Sequence, residues 1–326
     1  MQESESDTID IAEKMALLLG DYSHLAPRIR HLDYDTSACT DRIEVRCSYI
    51  SFRDGSPTFD EFIDVVAEHT TAFCLPRTEL TQANEKMQSD PKTSARIWTA
   101  LANKARGLFI KAKKGSNRSG EAGEIVLYIM NEWILEAPQI VSKMYLKTNN
   151  NMPVHGTDGI HARYDSEKEK LLIFWGESKC HKTLASALSS ALTSIKEFID
   201  NAHERREVDI VSKHMDVDEL GGDAKSAILS YLDPYSESSN ERITVFSCLL
   251  VFEHDGYLRD DITPEELEAH FVDEVNGVAR GFIDSIRDTV KDKGLGARRF
   301  EFFLMPVPSV QEFRDKFQSK IGWPND

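Results

Sequence analysis

Two carboxylates and a lysine stand close together in the middle of the sequence. Asp158 lies in the segment Gly-Thr-Asp-Gly-Ile-His, and Glu177 and Lys179 follow the apolar run Leu171–Trp175. Mg²⁺ is a hard ion that proteins hold through one or two carboxylates while it keeps several waters. Such an ion activates water and polarises a phosphate. The residue types and their spacing therefore predict hydrolysis of phosphodiester bonds, with Asp158, Glu177 and Lys179 as the catalytic residues.

Lys179 and an upstream glutamate extend this candidate site. Because Lys179 lies two residues beyond Glu177, both side chains point to the same face of a strand. From there Lys179 could orient the attacking water or neutralise developing charge. Glu124, in a predicted helix, could complete the metal site or bind a second ion. Singly, each residue could equally be an ordinary solvated side chain, so the prediction depends on their order along helix, strand and strand.

The periodicity of apolar residues predicts an α/β fold. We predict strands over residues 42–52, 158–164, 171–180, 242–252 and 300–305, and helices over 58–71, 91–101, 121–136, 184–199, 204–215, 223–231 and 310–321, with a long helix from Thr263. Thr58 is predicted to cap its helix, with Glu61 three residues later. We divide the chain into an N-terminal α/β region, residues 1–103, which could dock a partner, and a nuclease domain, residues 104–326.

The residues of the candidate site resemble the PD-(D/E)xK nuclease superfamily over about residues 115–255. Within this part, the segments 120–124, 156–161 and 175–179 resemble the HamA family of the Hachiman anti-phage defence system. The resemblance implies a restriction-endonuclease-like core, a mixed central sheet flanked by helices, with an N-terminal α/β extension. It also implies a DNA nuclease that works with HamB, a superfamily 2 helicase that restrains it until DNA damage or invasion is sensed.

Carried over to this chain, the resemblance makes Asp158, Glu177 and Lys179 catalytic. It assigns Glu124, Asp158 and Glu177 to a Mg²⁺ site that Mn²⁺ could also fill. Thr157 stands where the superfamily has proline, a departure that leaves the metal ligands intact.

The distribution of charge favours a subunit with a partner. The formal net charge is −16. When residues 1–100, 101–200 and 201–326 are compared, only the middle segment has a positive net charge, +3, from 14 basic and 11 acidic groups. The basic residues Lys111, Lys113, Lys114 and Arg118 lie just before the predicted Glu124 helix, where they could contact phosphates or form a solvated loop. The acidic remainder would repel nucleic acid unless a partner supplied basic surface.

Other classes of site find less support. The five cysteines are scattered, without a Cys-x-x-Cys pair, so we expect free thiols in a reducing cytoplasm and no structural zinc. His155 and His161 flank Asp158, but roles in a turn and a strand are favoured over phosphate contact. The sequence contains no P-loop motif, which argues against a motor protein. It also contains no uncharged apolar stretch of 18 residues, the length expected of a membrane-spanning helix.

We therefore expect a metal-dependent DNA nuclease, the effector subunit of a helicase-coupled anti-phage defence complex in the cytoplasm. Two alternatives stay open at this point. The chain could be a catalytically silent, nuclease-like adaptor of a helicase complex, or its substrate could be RNA.

Overall fold

A mixed seven-stranded sheet forms the centre of the protein. The computed structural model describes residues 11–32, 42–112, 120–147, 157–201 and 203–322. The strands are β1 (Ile29–His31), β2 (Ile43–Ile50), β5 (Gln139–Val141), β6 (Gly159–Asp165), β7 (Lys170–Cys180), β8 (Arg242–Glu253) and β9 (Arg299–Val307), and a small separate hairpin pairs β3 (Phe52–Arg53) with β4 (Ser56–Pro57). The strand order in the sheet is β1-β2-β9-β8-β7-β6-β5. Strands β2, β9, β8 and β7 are parallel, and the outer pairings are antiparallel.

Helices cover both faces of this sheet. They are α1 (described over 11–16), α2 (Phe59–Glu68), α3 (Thr70–Cys74), α4 (Arg77–Ser89), α5 (Ser94–Ala112), α6 (Glu121–Trp133), α7 (Lys143–Lys147), α8 (Leu184–Asp200), α9 (His203–His214), α10 (Gly222–Leu232), α11 (Pro264–Asp292) and α12 (Val310–Lys320). The predicted α/β fold with a mixed central sheet flanked by helices is confirmed.

The central strands are apolar on both faces. In β8 the eight residues from Val245 to Phe252 are all buried, as expected for a parallel strand that helices cover on either side. Alternation along β7 shows which helix covers which face. The Trp175 ring lies 5.7 Å from that of Phe198 on α8, whereas a Cβ atom placed on Gly123 of α6 would lie 2.9 Å from Cys180 Sγ. Odd-numbered residues of β7 thus face α8, and even-numbered ones face α6.

The N-terminal region shares the sheet with the rest of the chain. The boundary predicted between residues 103 and 104 falls inside α5, and β2 pairs in parallel with β9. A buried polar network also joins the two regions, because Glu132 of α6 accepts hydrogen bonds from Tyr22 Oη at 2.6 Å and from Arg77 Nη2 at 2.6 Å. The predicted docking role of residues 1–103 stays a prediction.

Two local features of the N-terminal region differ from the sequence prediction. Helix α4 was not predicted, because only Ala83 and Met87 of its residues are buried and its apolar periodicity is weak. Thr58 occupies the predicted N-cap position of α2, and its carbonyl oxygen accepts from Phe62 N at 2.9 Å. Its hydroxyl, however, donates at 3.0 Å to the carbonyl oxygen of Ser51 and makes no capping bond to α2. Among the described helices, none combines the length and the apolar character needed to cross a membrane.

Candidate active site

Asp158 is fixed where β6 begins against β7. Its backbone N–H donates to the Gly176 carbonyl oxygen at 2.7 Å, and its Oδ2 accepts from Ser178 N at 2.8 Å and from Ser178 Oγ at 3.2 Å. Gly176 pairs with Gly159, and a Cβ atom on Gly176 would lie 3.1 Å from Leu127 Cδ2 and 3.3 Å from Gly159 N. The two glycines therefore let the strands and α6 approach closely beside this carboxylate.

Glu177 and Lys179 lie on the face of β7 that looks toward α8. They form an ion pair with each other, as their spacing of two residues in a strand predicted. Glu177 is buried, and this burial, together with the negative charge of Asp158, raises its pKa to about 7 against the opposing effects of Lys179 and Ser194. The carboxylates of Asp158 and Glu177 line the same cleft.

Lys179 keeps its proton in this environment. Burial by itself would lower the pKa of Lys179, but the carboxylates of Glu177, Asp158 and Glu124 together outweigh this effect, Glu177 most of all, so the pKa rises. The structure thus brings Asp158, Glu177 and Lys179 together at one end of β6 and β7. The lysine is a protonated group among three carboxylates.

Glu124 approaches from the other face of the sheet. It lies on α6, is buried, and is close enough for its charge to act on Lys179. The adjacent Gly123 makes this possible, because any larger residue there would press on Cys180 and Ser178 of β7. A role for Glu124 as a metal ligand stays a prediction.

The chemistry of the donors suits a hard divalent cation. Asp158 and Glu177 offer two carboxylates, the number through which Mg²⁺ is commonly held. Their mutual repulsion, which raises the pKa of Glu177, would be relieved by a cation between them. Within the described ranges no three or more His, Cys, Asp or Glu side chains are grouped to hold an ion. Two carboxylates with water in the remaining positions are therefore the arrangement that the described residues fit.

Lys143 supports the site and was missed by the sequence analysis. Its Nζ donates to the Thr157 carbonyl oxygen at 2.6 Å and to Thr157 Oγ1 at 3.2 Å, and it pairs with Glu207 Oε1 at 3.0 Å. Both charged residues are buried. A lysine within the otherwise uncharged stretch 139–146 was the one signal that could have revealed it. Thr157, directly before Asp158, is thus held by a buried cation.

Two clefts meet at Lys179. The carboxylate cleft has a volume of about 310 Å³ and contains Asp158, Glu177, Lys179, Ser194 and the aromatic residues Trp175, Phe198 and Phe246. The basic cleft, of about 640 Å³, contains Lys179, His181, Lys182 and Arg314. The candidate catalytic residues therefore line open space large enough to admit part of a substrate.

Of the other predicted residues, His161 has a structural role. It is buried, its Nδ1 lies 2.9 Å from the Ala137 carbonyl oxygen, and burial lowers its pKa to about 4. His155 lies outside the described residues, as do Lys113, Lys114 and Arg118, and Lys111 is described only as backbone of α5. The described cysteines, Cys47, Cys74, Cys180 and Cys248, are free thiols.

Comparison with known families identifies one family. A family model described as HamA matches residues 28–321 of the 326-residue chain, a range that includes β1, the whole sheet and all four residues of the candidate site. No curated protein matches the chain. The match extends well beyond residues 115–255 and takes in most of the N-terminal region. The chain belongs to the HamA family and is thereby a component of the Hachiman anti-phage defence system.

Proposed function

We propose that this protein is a metal-dependent DNA nuclease that hydrolyses phosphodiester bonds as the effector of a helicase-coupled defence complex. The observation that supports this most directly is the grouping of Asp158, Glu177 and Lys179 at the ends of β6 and β7. Strand alternation and the hydrogen bonds from Ser178 hold the three side chains in place. The membership in the HamA family supports the setting of this reaction in anti-phage defence.

Each residue has a role that follows from its position. Asp158 and Glu177 would hold Mg²⁺ or Mn²⁺, which when bound supplies an activated water and charge for the phosphate. Lys179, protonated and beside both carboxylates, can donate hydrogen bonds to a phosphate oxygen or to the attacking water. Ser178 orients Asp158 through two hydrogen bonds. Groups oriented before the reaction stabilise developing charge without paying for reorganisation during it.

The partner we propose is the superfamily 2 helicase HamB, and the compartment the cytoplasm. A protein with a net charge of −16 gains little from long-range attraction to DNA. A partner with basic surface would bring the DNA to the site, and residues 1–103 are the proposed docking region. In this arrangement the helicase controls access of DNA to Lys179 and the carboxylates.

The first experiment is cleavage of plasmid and linear DNA with Mg²⁺. Wild type is compared with Lys179→Ala, each with and without the helicase partner and ATP. We expect Lys179→Ala to lose a hundredfold or more of activity, on the order seen when one donor that stabilises transition-state charge is removed. Lys196→Ala is the control, because Lys196 is an exposed lysine of α8 that pairs with Asp200. Cleavage by Lys179→Ala at the wild-type rate would refute the proposal.

A second candidate function is a catalytically silent adaptor. The ion pair between Glu177 and Lys179 satisfies the glutamate without any metal, which favours this candidate. Calorimetry with Mg²⁺ and Mn²⁺ separates the two functions: a nuclease binds the ion and Glu177→Gln weakens binding, whereas an adaptor shows no heat of binding. RNA in place of DNA in the cleavage assay tests the third possibility, an RNA nuclease.

A further inference from the structure

The basic cleft lies between the end of β7 and the start of α12. The lining includes Lys179, Lys182, Ser190, Glu253, Val310 and Arg314. The cleft is therefore bordered by positive groups from β7, from the residues after it and from α12.

Two cations of this cleft, Lys182 and Arg314, are available to a ligand, whereas Lys179 pairs with Glu177. In the part of the chain that the structure describes, neither Lys182 nor Arg314 forms an ion pair with an acidic residue. Arg314 Nη2 donates to the Cys180 carbonyl oxygen at 2.7 Å, which orients the guanidinium, while its Nε is buried without a hydrogen-bond partner. The carboxylate in the cleft, Glu253, is engaged, because its Oε1 accepts from Val310 N at 3.1 Å. An arginine that is oriented in this way, and that pairs with no acidic residue in the described ranges, suits a phosphate.

The basic cleft and the carboxylate cleft follow one another along α8. Ser190 lines the first and Ser194 lines the second. Residues four apart lie on the same face of a helix, and the rise between them is about 6 Å. Lys179 lines both clefts and lies between them. A single extended ligand could therefore occupy the two clefts together.

We propose that the basic cleft is a second phosphate subsite, in which Lys182 and Arg314 bind the backbone phosphate that neighbours the scissile one. This proposal rests on the proposed function for the identity of the scissile position. It makes the substrate class a polynucleotide strand and excludes a mononucleotide, which has no second phosphodiester to fill the cleft. Because the contacts reach phosphate, they position the strand without reading its sequence.

The test is binding without cleavage. Fluorescence anisotropy with labelled single-stranded DNA, duplex DNA and RNA is measured in EDTA at low and rising salt. The variant Lys182→Gln/Arg314→Gln is compared with Lys196→Gln/Lys320→Gln. The second variant also removes two positive charges, but from positions on α8 and α12 that lie outside the clefts. Lys196 and Lys320 pair on the surface with Asp200 and Asp64.

We expect the cleft variant alone to weaken binding. The slope of log binding constant against log salt should decrease in magnitude by about 0.7 per lost contact for a single strand and by about 0.9 for duplex DNA. Lys182→Gln by itself should show half of this change, and it guards against misfolding because Lys182 is exposed. Equal losses in the two double variants, or no binding of any nucleic acid by wild type, would overturn the subsite.

The subsite and the proposed function fail in different ways. Asp158→Asn should abolish cleavage without weakening binding, since Asp158 is outside the basic cleft and supplies no positive charge to the strand. If Asp158→Asn still cleaves while the cleft variant loses binding, the catalytic assignment is wrong and the basic cleft stands as a phosphate-binding site alone. If Asp158→Asn is inactive while the cleft variant binds as wild type does, the subsite is wrong and the nuclease stands.

Discussion

The ammonium group of Lys143 lies 3.0 Å from Glu207 Oε1 and 2.6 Å from the Thr157 carbonyl oxygen, inside the protein. This contact joins α7 and α9 to the residue that precedes Asp158. Breaking a buried ion pair by removing one partner leaves an uncompensated charge, whereas replacing both partners by apolar groups can be nearly neutral. The pair therefore orders the backbone beside the site more than it adds net stability.

We predict that Lys143→Met lowers the free energy of unfolding by about 3–5 kcal/mol. Lys143→Met/Glu207→Leu should lose less than the single variant, because no buried charge is then left alone. Urea unfolding followed by circular dichroism measures both. Lys170→Met is the control: it breaks an exposed pair with Glu241 and should cost no more than about 1 kcal/mol. A double variant no more stable than the single one would contradict this account.

The carboxyl of Glu177 should titrate near pH 7 in protein freed of divalent ions. Burial and the charge of Asp158 raise its pKa to about 7 from 4.5. Asp158→Asn should lower this pKa and Lys179→Ala should raise it, as nuclear magnetic resonance of ¹³C-labelled glutamate can measure. The folded-state pKa lies above the unfolded one, so ionisation of Glu177 costs stability as pH rises from about 4.5 to 7. A normal pKa in wild type would remove the evidence for its close approach to Asp158.

Divalent ions should stabilise the wild-type protein against heat. An ion that binds only the folded state adds about 2.7 kcal/mol when its concentration is a hundred times its dissociation constant. Thermal denaturation with Mg²⁺, Mn²⁺ or EDTA should show a rise in Tm that Asp158→Asn and Glu177→Gln abolish. Asp200→Asn, which removes an exposed carboxylate of α8, should keep the rise. An equal rise in all variants would point to binding elsewhere.

Any side chain at Gly123 should lower the free energy of unfolding. Gly123→Ala places a Cβ atom 2.9 Å from Cys180 Sγ and 3.3 Å from Ser178 Oγ, so α6 must move from β7 at a cost of about 1–3 kcal/mol. Adding Cys180→Ala should restore part of the loss. Gly277→Ala is the matched control, because this helical glycine has open space around it, and there alanine should stabilise by up to about 1 kcal/mol. Equal effects at both positions would show that Gly123 is not a close-contact position.

Relations between near neighbours in the sequence were predictable. The pairing of Glu177 with Lys179, and their place beside a buried strand, follow from alternation along β7 and from the apolar run that precedes them. Strong patterns of apolar residues also predicted α6, α8, β8 and β9. Burial of one face of an element leaves apolar residues at regular spacing, and burial of both faces leaves a continuous apolar run.

Relations between distant residues were decided by the tertiary structure. Lys143 meets Glu207 across 64 positions and Arg314 meets Cys180 across 134, and no local periodicity records either contact. The Thr58 hydroxyl makes no capping bond to α2 because it donates to the Ser51 carbonyl oxygen. The sequence by itself determined the residues that could do chemistry and the strands that hold them. Packing decided the rest: the contact of Lys143 with Thr157, the face from which Glu124 approaches and the meeting of two clefts at Lys179. The reason is that only the folded chain brings these distant groups close together.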